Sequence, residues 1–185
     1  RVALAMGRAS TLLLQLEVSI DLSLQVAKDA SALGKTVILD PGPVRTLPQE
    51  FYASCDVITP NETEAEALVG FPVDSPATAA RAARMLLDRG VGMAVVKRGG
   101  QGVYYATKEE SEHVPPYPVV AVDTVAAGDA FNGALAVALA EGNPLPWAVR
   151  IAVAAGALAV TKSGAQDSMP TRQEVEALLQ GKGPE

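Results

Sequence analysis

The stretch TLLLQLEVSIDLSLQVAKDASALGKTVILD, Thr11–Asp40, decides the fold. Thr11–Leu16 is a short, nearly continuous apolar run, the pattern of a strand buried on both faces. The period then changes. Leu22, Val26, Ala30 and Leu33 fall on one helical face, Asp21 can cap that helix, and Gly34 can end it. Thr36–Asp40 is apolar again, and Pro41-Gly42-Pro43 closes it. A strand, a helix and a strand in succession read as one crossover unit of a parallel sheet.

The alternation continues outward from there. Asp56–Thr59 reads as a third strand stopped by Pro60, and the pattern is helical from Asn61 to about Val69. Ser75-Pro76 opens a longer helix to Arg89, with proline at the favoured first helical position. Met93–Arg98 is a strand, Gly99-Gly100-Gln101-Gly102 a glycine turn, and Val103–Ala106 a strand again, so the turn predicts a hairpin or tight bend. Val119–Val122 predicts one more short strand. Two Ala-rich helices follow, over roughly Gly128–Glu141 and Leu145–Val160. Thr171 and Glu174 form a capping box for a last helix to Leu179. No repeat, linker or low-complexity tract interrupts the series, so residues 1–185 are expected to form a single α/β domain, a mostly parallel sheet with helices on both faces. Ligands of such sheets sit beyond the carboxyl ends of the strands, where the motifs below fall.

Composition removes several classes of function. Hydrophobic residues make up 49% of the 185 positions, enough for a core and too many for a disordered chain. The net charge is −6, with no basic stripe, so neither a nucleic-acid groove nor an anionic membrane surface is expected as partner. Cys55 is the only cysteine and His113 the only histidine, which excludes an internal disulfide and a His/Cys zinc cluster. His113 reads as a solvated or edge-strand residue. Carboxylates without histidine suit Mg²⁺ better. The longest apolar runs fall short of the roughly 20 residues that span a bilayer. The chain opens on Arg1 and lacks a signal-peptide pattern, so it reads as a cytoplasmic chain that begins inside a larger protein.

Asp123-Thr-Val-Ala-Ala-Gly-Asp129 carries the chemistry. It joins a strand end to a helix start, so the backbone N–H groups of Ala126, Ala127 and Gly128 lie at a positive helix terminus, where small side chains let an anion come close. Asp129, in the first helical turn, can take a proton from a hydroxyl while those N–H groups stabilise a transferring phosphoryl group. It can equally be a favourable N-terminal charge.

DTVAAGDAFNGAL resembles the signature of the ribokinase, or PfkB, family of carbohydrate kinases. DVITPNETEAEAL resembles that family's N-x-x-E segment and VVKRGGQGVYY its nucleotide-binding glycine turn, while LLLQLE and TKSGAQDSMP are similar to its ribokinase branch. The resemblance covers essentially the whole chain. It implies a ribokinase-like, Rossmann-type sheet and ATP-dependent phosphorylation of the primary hydroxyl of a sugar. D-ribose is the first acceptor, with fructose, 2-keto-3-deoxygluconate or a nucleoside as others. A non-catalytic nucleotide-binding remnant is the alternative outside the enzymes.

The resemblance also implies roles. Asp129 becomes the general base and a sugar contact, and Ala126, Ala127 and Gly128 the anion hole. Asn61 and Glu64 hold the phosphates and, through water, Mg²⁺, although Asn61 with Glu64 three residues on is also what a plain capping box needs. Lys97, Arg98, Gly99, Gly100, Gln101 and Gly102 line the nucleotide with Gly128 and Val153. Glu17 contacts sugar hydroxyls or is simply a solvated loop charge. Asp123, Val125, Ala159, Lys162, Gly164 and Ser168 match a site for activating K⁺. Departures from the family pattern are Lys162 in place of an arginine, Val153 in place of a histidine or asparagine, and the basic pair Lys97-Arg98. The family's N-terminal part, with its Gly-Gly sugar segment and the β-lid through which a homodimer forms, is absent from these residues. The chain is therefore expected to be the nucleotide side and base of a kinase.

Overall fold

The computed structural model describes residues 6–182. They pack as two compact units, residues 6–99 with Val103–His113, and Gly100–Gly102 with residues 114–182.

The first unit is built on a sheet of six strands in the order β1-β2-β3-β4-β5-β6. These are β1 (Thr11–Leu14), β2 (Thr36–Leu39), β3 (Val57–Ile58), β4 (Met93–Lys97), β5 (Val103–Ala106) and β6 (Ser111–Val114). Strands β1 to β4 run parallel, with Thr11 opposite Thr36, Ile38 opposite Val57 and Val57 opposite Met93. β5 turns back antiparallel to β4, with Ala94 opposite Ala106, so the glycine turn is a hairpin connection as expected. Val37 and Leu39 point to one face of β2 and Ile38 to the other, and all three are fully buried. Neither face meets water, and the strand therefore reads as an unbroken apolar run. Because β1 to β4 are parallel, their carboxyl ends share one end of the sheet.

Helix α1 (Ile20–Ala32) is capped by Ser19, whose hydroxyl accepts the Leu22 N–H at 3.3 Å; Asp21, the expected cap, is instead a first-turn charge. Its buried stripe is Ser23, Ala27 and Ala30, while Leu22 and Leu33 are exposed. Small residues bring the helix close to its neighbours, and that overrides the stripe expected from the larger ones. α2 (Gln49–Ala53) has no sequence signal, since five residues after Pro48 show no helical period. α3 (Glu62–Val69) ends on Gly70 at φ +80°, a left-handed stop that glycine adopts without strain. α4 (Pro76–Asp88) begins with a Ser75–Thr78 capping box and buries Ala79, Ala82, Ala83 and Leu86. β6 (SEHV) has no apolar alternation, which hides it from sequence reading; His113 lies exposed on it.

Cys55 is buried beside this core, and burial, then the Asp56 charge, pushes its thiol up to about 12. Only the thiolate reacts. Iodoacetamide at pH 8 should therefore label the native chain at least ~10²-fold more slowly than the unfolded chain. Mass spectrometry over a labelling time course checks this.

The second unit holds α5 (Ala127–Ala140), α6 (Leu145–Ala159) and α7 (Arg172–Leu179). α6 buries Ala148, Val149, Ala152, Val153, Ala154, Ala155, Leu158 and Ala159. A Cβ on Gly156 would lie 3.3 Å from the Ala127 carbonyl oxygen, so glycine there lets α6 approach the first turn of α5. The strand expected over Val119–Val122 does not form. The N–H groups of Val122 and Asp123 both donate to the Val160 carbonyl, at 2.7 and 3.2 Å, and Val120 is 82% exposed. Valines favour a strand only where a pleated neighbour covers them, and none does here among the described residues.

Candidate active site

In the first unit the ends of four strands converge. After β3 the chain runs through Thr59 and Pro60 to Asn61, the N-cap of α3, and Lys97 closes β4. The Lys97 N–H donates to the Pro60 carbonyl at 2.8 Å, and Asn61 and Lys97 form an isolated parallel bridge. Asn61 and Glu64 cap one another: the Glu64 N–H donates to Asn61 Oδ1 at 2.9 Å, and the Asn61 N–H donates to Glu64 Oε2 at 2.8 Å. That leaves Glu64 Oε1, which lies 2.8 Å from where a Cβ on Gly42 would stand. Gly42 keeps open the space that carboxylate oxygen uses. Burial, then the Asp40 charge, raises the Glu64 carboxyl above its usual range, against the Asn61 N–H and Lys97.

Two groups that sequence reading passed over belong to this cluster. Lys97 Nζ donates to Asp40 Oδ1 at 3.1 Å, and both side chains are nearly buried, 13% and 9% exposed. Gln15 Nε2 donates to the other oxygen, Asp40 Oδ2, at 3.3 Å. The signal available in the sequence was positional: each residue follows the apolar run of a parallel strand.

Other expected nucleotide residues divide. Gly99 at φ +49° and Gly102 at φ +81° take left-handed turns, and Gly100 has open space where a Cβ would go. Gln101 is exposed. Arg98 is buried, 3% exposed, and its guanidinium donates to the Asp74 carbonyl at 3.4 Å, so only its backbone is presented at the turn. Val153 is packed within α6 at 7% exposure. Glu17 is exposed in the bend after β1.

In the second unit, Ala126 takes a left-handed conformation, φ 64° and ψ 4°, directly before α5. It is the one non-glycine with positive φ among the described residues, and strain of that kind concentrates at functional sites. The turn directs the chain into the helix, with Ala127, Gly128 and Asp129 in its first turn. Asp129 is exposed and borders a cleft of about 550 Å³, lined further by Gly133, Val137, Trp147 and Ile151. Asp123 closes the turn from the other side. Its Oδ1 accepts the Val125 N–H at 3.0 Å and its Oδ2 the Gly164 N–H at 3.1 Å. Those bonds, Val125 first, hold its carboxyl below the usual range.

The loop after α6 is pinned as well. The buried Ser168 donates to the Ala165 carbonyl at 3.0 Å, and the Ala159 carbonyl accepts the Lys162 N–H at 3.4 Å. The Lys162 ammonium pairs with Glu174 at 2.7 Å, which also caps α7 and whose carboxyl is lowered to about 2.

The fold is that of the ribokinase-like α/β proteins. The chain belongs to the pfkB family of carbohydrate kinases, whose profile matches residues 3–172. It is 40% identical over 177 residues to a ribokinase of Haemophilus influenzae, covering 94% of this chain and 57% of that protein. It superposes on a ribokinase crystal structure from Thermotoga maritima with a TM-score of 0.86 at 40% identity, covering 95% of this chain and 58% of that one. The structure of Arabidopsis thaliana ribokinase complexed with ribose and ATP matches with a TM-score of 0.89 at 36% identity, over 95% and 57%. The chain thus spans somewhat more than half the length of these relatives. Among the described residues no helix is long and apolar enough to cross a membrane.

The cap that Glu64 makes with Asn61 can be separated from the metal role expected of it. Glutamine keeps the capping box but loses the charge. Glu64→Gln should therefore leave the melting temperature within about 2 °C while weakening Mg²⁺-dependent nucleotide binding at least ~tenfold. Calorimetric titration with ATP, with and without Mg²⁺, checks both halves.

Proposed function

We propose that the chain carries the ATP-binding side and the catalytic base of a sugar kinase that transfers the γ-phosphoryl group to a primary hydroxyl, D-ribose being the preferred acceptor. The observation that carries this is the left-handed Ala126 turn, which leads into α5 with Asp129 in its first turn. In this mechanism the Asp129 carboxylate accepts the proton of the sugar hydroxyl as its oxygen attacks phosphorus. The N–H groups of Ala126 and Gly128, joined by that of Ala127 once it turns from the Thr124 carbonyl it meets at 3.4 Å, stabilise the charge on the transferring oxygens, and the bond from phosphorus to the ADP oxygen breaks. No covalent enzyme intermediate is needed. Asn61, Glu64, Lys97 and the glycine turn Gly99–Gly102 hold the nucleotide, and Glu17 contacts the sugar.

The residues present suit both ions of the family. Glu64 retains an oxygen beyond its cap, in a space that a Cβ on Gly42 would fill, which suits a Mg²⁺ held through water. Mg²⁺ neutralises phosphate charge when bound. The carboxylate of Asp123, which already accepts the Val125 and Gly164 N–H groups, with the carbonyls of Val125, Ala159, Lys162, Gly164 and Ser168 would supply the all-oxygen set that K⁺ takes. Replacing K⁺ by a bulky organic cation should lower the transfer rate at least ~fivefold, a coupling of the usual allosteric size. Equal rates in both salts would remove the cation from this mechanism.

The test of function is transfer from Mg·ATP across D-ribose, fructose, 2-keto-3-deoxygluconate and a nucleoside. Ribose should give the highest kcat/KM. Phosphorylation of none of them by a protein that binds ATP and also carries the family's N-terminal sugar segment would favour a nucleotide-binding module instead.

A further inference from the structure

Lys97 lies at the end of β4 among two carboxylates, those of Asp40 and Glu64. It pairs with Asp40 at 3.1 Å, and the pair is nearly shielded from water. Glu64 is the alternative partner. It caps Asn61, the residue bridged to Lys97 through the backbone, and its second oxygen sits over Gly42, two residues from Asp40. The Lys97 charge is felt at Glu64 as well, although its hydrogen bond goes to Asp40. Pairing with Glu64 would occupy at once the cation and the carboxylate that the proposed function assigns to the nucleotide and its metal.

Asp40 is itself fixed in a way that decides the choice. Its N–H donates to the Leu14 carbonyl at 2.8 Å, Gln15 donates to Oδ2, and Oδ1 is left facing Lys97. Anchored from β1 and from its own strand, that carboxylate is a preorganised partner, whereas Glu64 is committed on one oxygen to its helix cap.

We propose that Asp40 is a positioning residue of the nucleotide side: with Gln15 behind it, it holds the Lys97 ammonium off Glu64, leaving Glu64 open toward the metal and Lys97 presented to the phosphate chain. The inference rests on the nucleotide-binding role proposed above. It assigns to Asp40 no contact with ATP, so all of its effect passes through Lys97.

A double-mutant cycle tests this, read as the Kd of Mg·ATP by calorimetric titration of the whole chain. Asp40→Asn should weaken binding at least ~tenfold in the parent, because Lys97 then turns to Glu64. In the Lys97→Met background the same change should alter Kd less than ~twofold. Asp40→Ser, smaller and without steric burden, repeats the cycle should Asn fold poorly, and melting temperatures follow the fold in every variant. A residue needed only for structure would cost the same in both backgrounds. Equal losses in the two backgrounds, or no loss in the parent, would overturn the inference while leaving the nucleotide site standing. A parent chain that does not bind Mg·ATP at all would overturn both together.

Discussion

Asp129→Asn is expected to lower phosphoryl transfer by ~10²–10⁴-fold, the usual contribution of a general base, and to leave the Kd of Mg·ATP unchanged within about twofold. Asparagine keeps the size and the first-turn position on α5 but cannot take the hydroxyl proton. The two readouts separate the possible roles of this carboxylate. A mere N-terminal helix charge is worth about 0.3–1 kcal/mol of stability, and its loss would shift melting without touching the rate. A nucleotide ligand would lose affinity. Only a base loses kcat alone. Turnover within tenfold of the parent would remove Asp129 from the chemistry.

The second large effect is on the fold. Gly102→Ala should destabilise the chain by about 4 kcal/mol or more. Gly102 sits at φ +81°, and a Cβ there would lie 2.2 Å from the Val114 carbonyl oxygen and 2.9 Å from the Pro116 nitrogen. The left-handed conformation alone costs an alanine about 1–2 kcal/mol. The remainder comes from backbone that must move, since neither contact is a flexible side-chain end. At about 2–4 °C per kcal/mol, the thermal midpoint should fall by roughly 8–16 °C. Gly100→Ala is the internal control. It has open space and should change stability by less than about 0.5 kcal/mol. If the turn accepts nucleotide, however, that methyl group should weaken ATP binding. A Gly102→Ala protein that melts with the parent would show that the Val114–Pro116 segment yields freely.

What the sequence disclosed follows from how local the signals were. The strands β1, β2 and β4, the hairpin and the capped helices α3, α4 and α7 each rest on an apolar run, a proline or a capping box, and each was legible. β6 and α2 were not, because SEHV has no alternation and QEFYA is too short to show a period. Val119–Val122 misled in the opposite direction: its composition favours a strand, but its N–H groups turn to Val160. At the candidate site the resemblance pointed to Asn61, Glu64 and Lys97, which the fold brings together. It did not point to Asp40, Gln15 or Gly42, whose importance lies in contacts between segments 22 to 57 positions apart. Arg98 and Val153 were expected at the nucleotide from the resemblance, and both side chains are buried. Motif position fixes the backbone and leaves the direction of a side chain to packing.

One measurement bears most directly on the central claim: a single-turnover assay with the chain in molar excess over γ-labelled Mg·ATP, in K⁺ buffer with D-ribose, and the Asp129→Asn variant beside it. Excess protein makes even slow chemistry visible. Label should pass from ATP to the ribose 5-hydroxyl in the parent and remain on ATP in the variant. Label that reaches ribose equally in both proteins would contradict the assignment of Asp129 as the base of a sugar kinase.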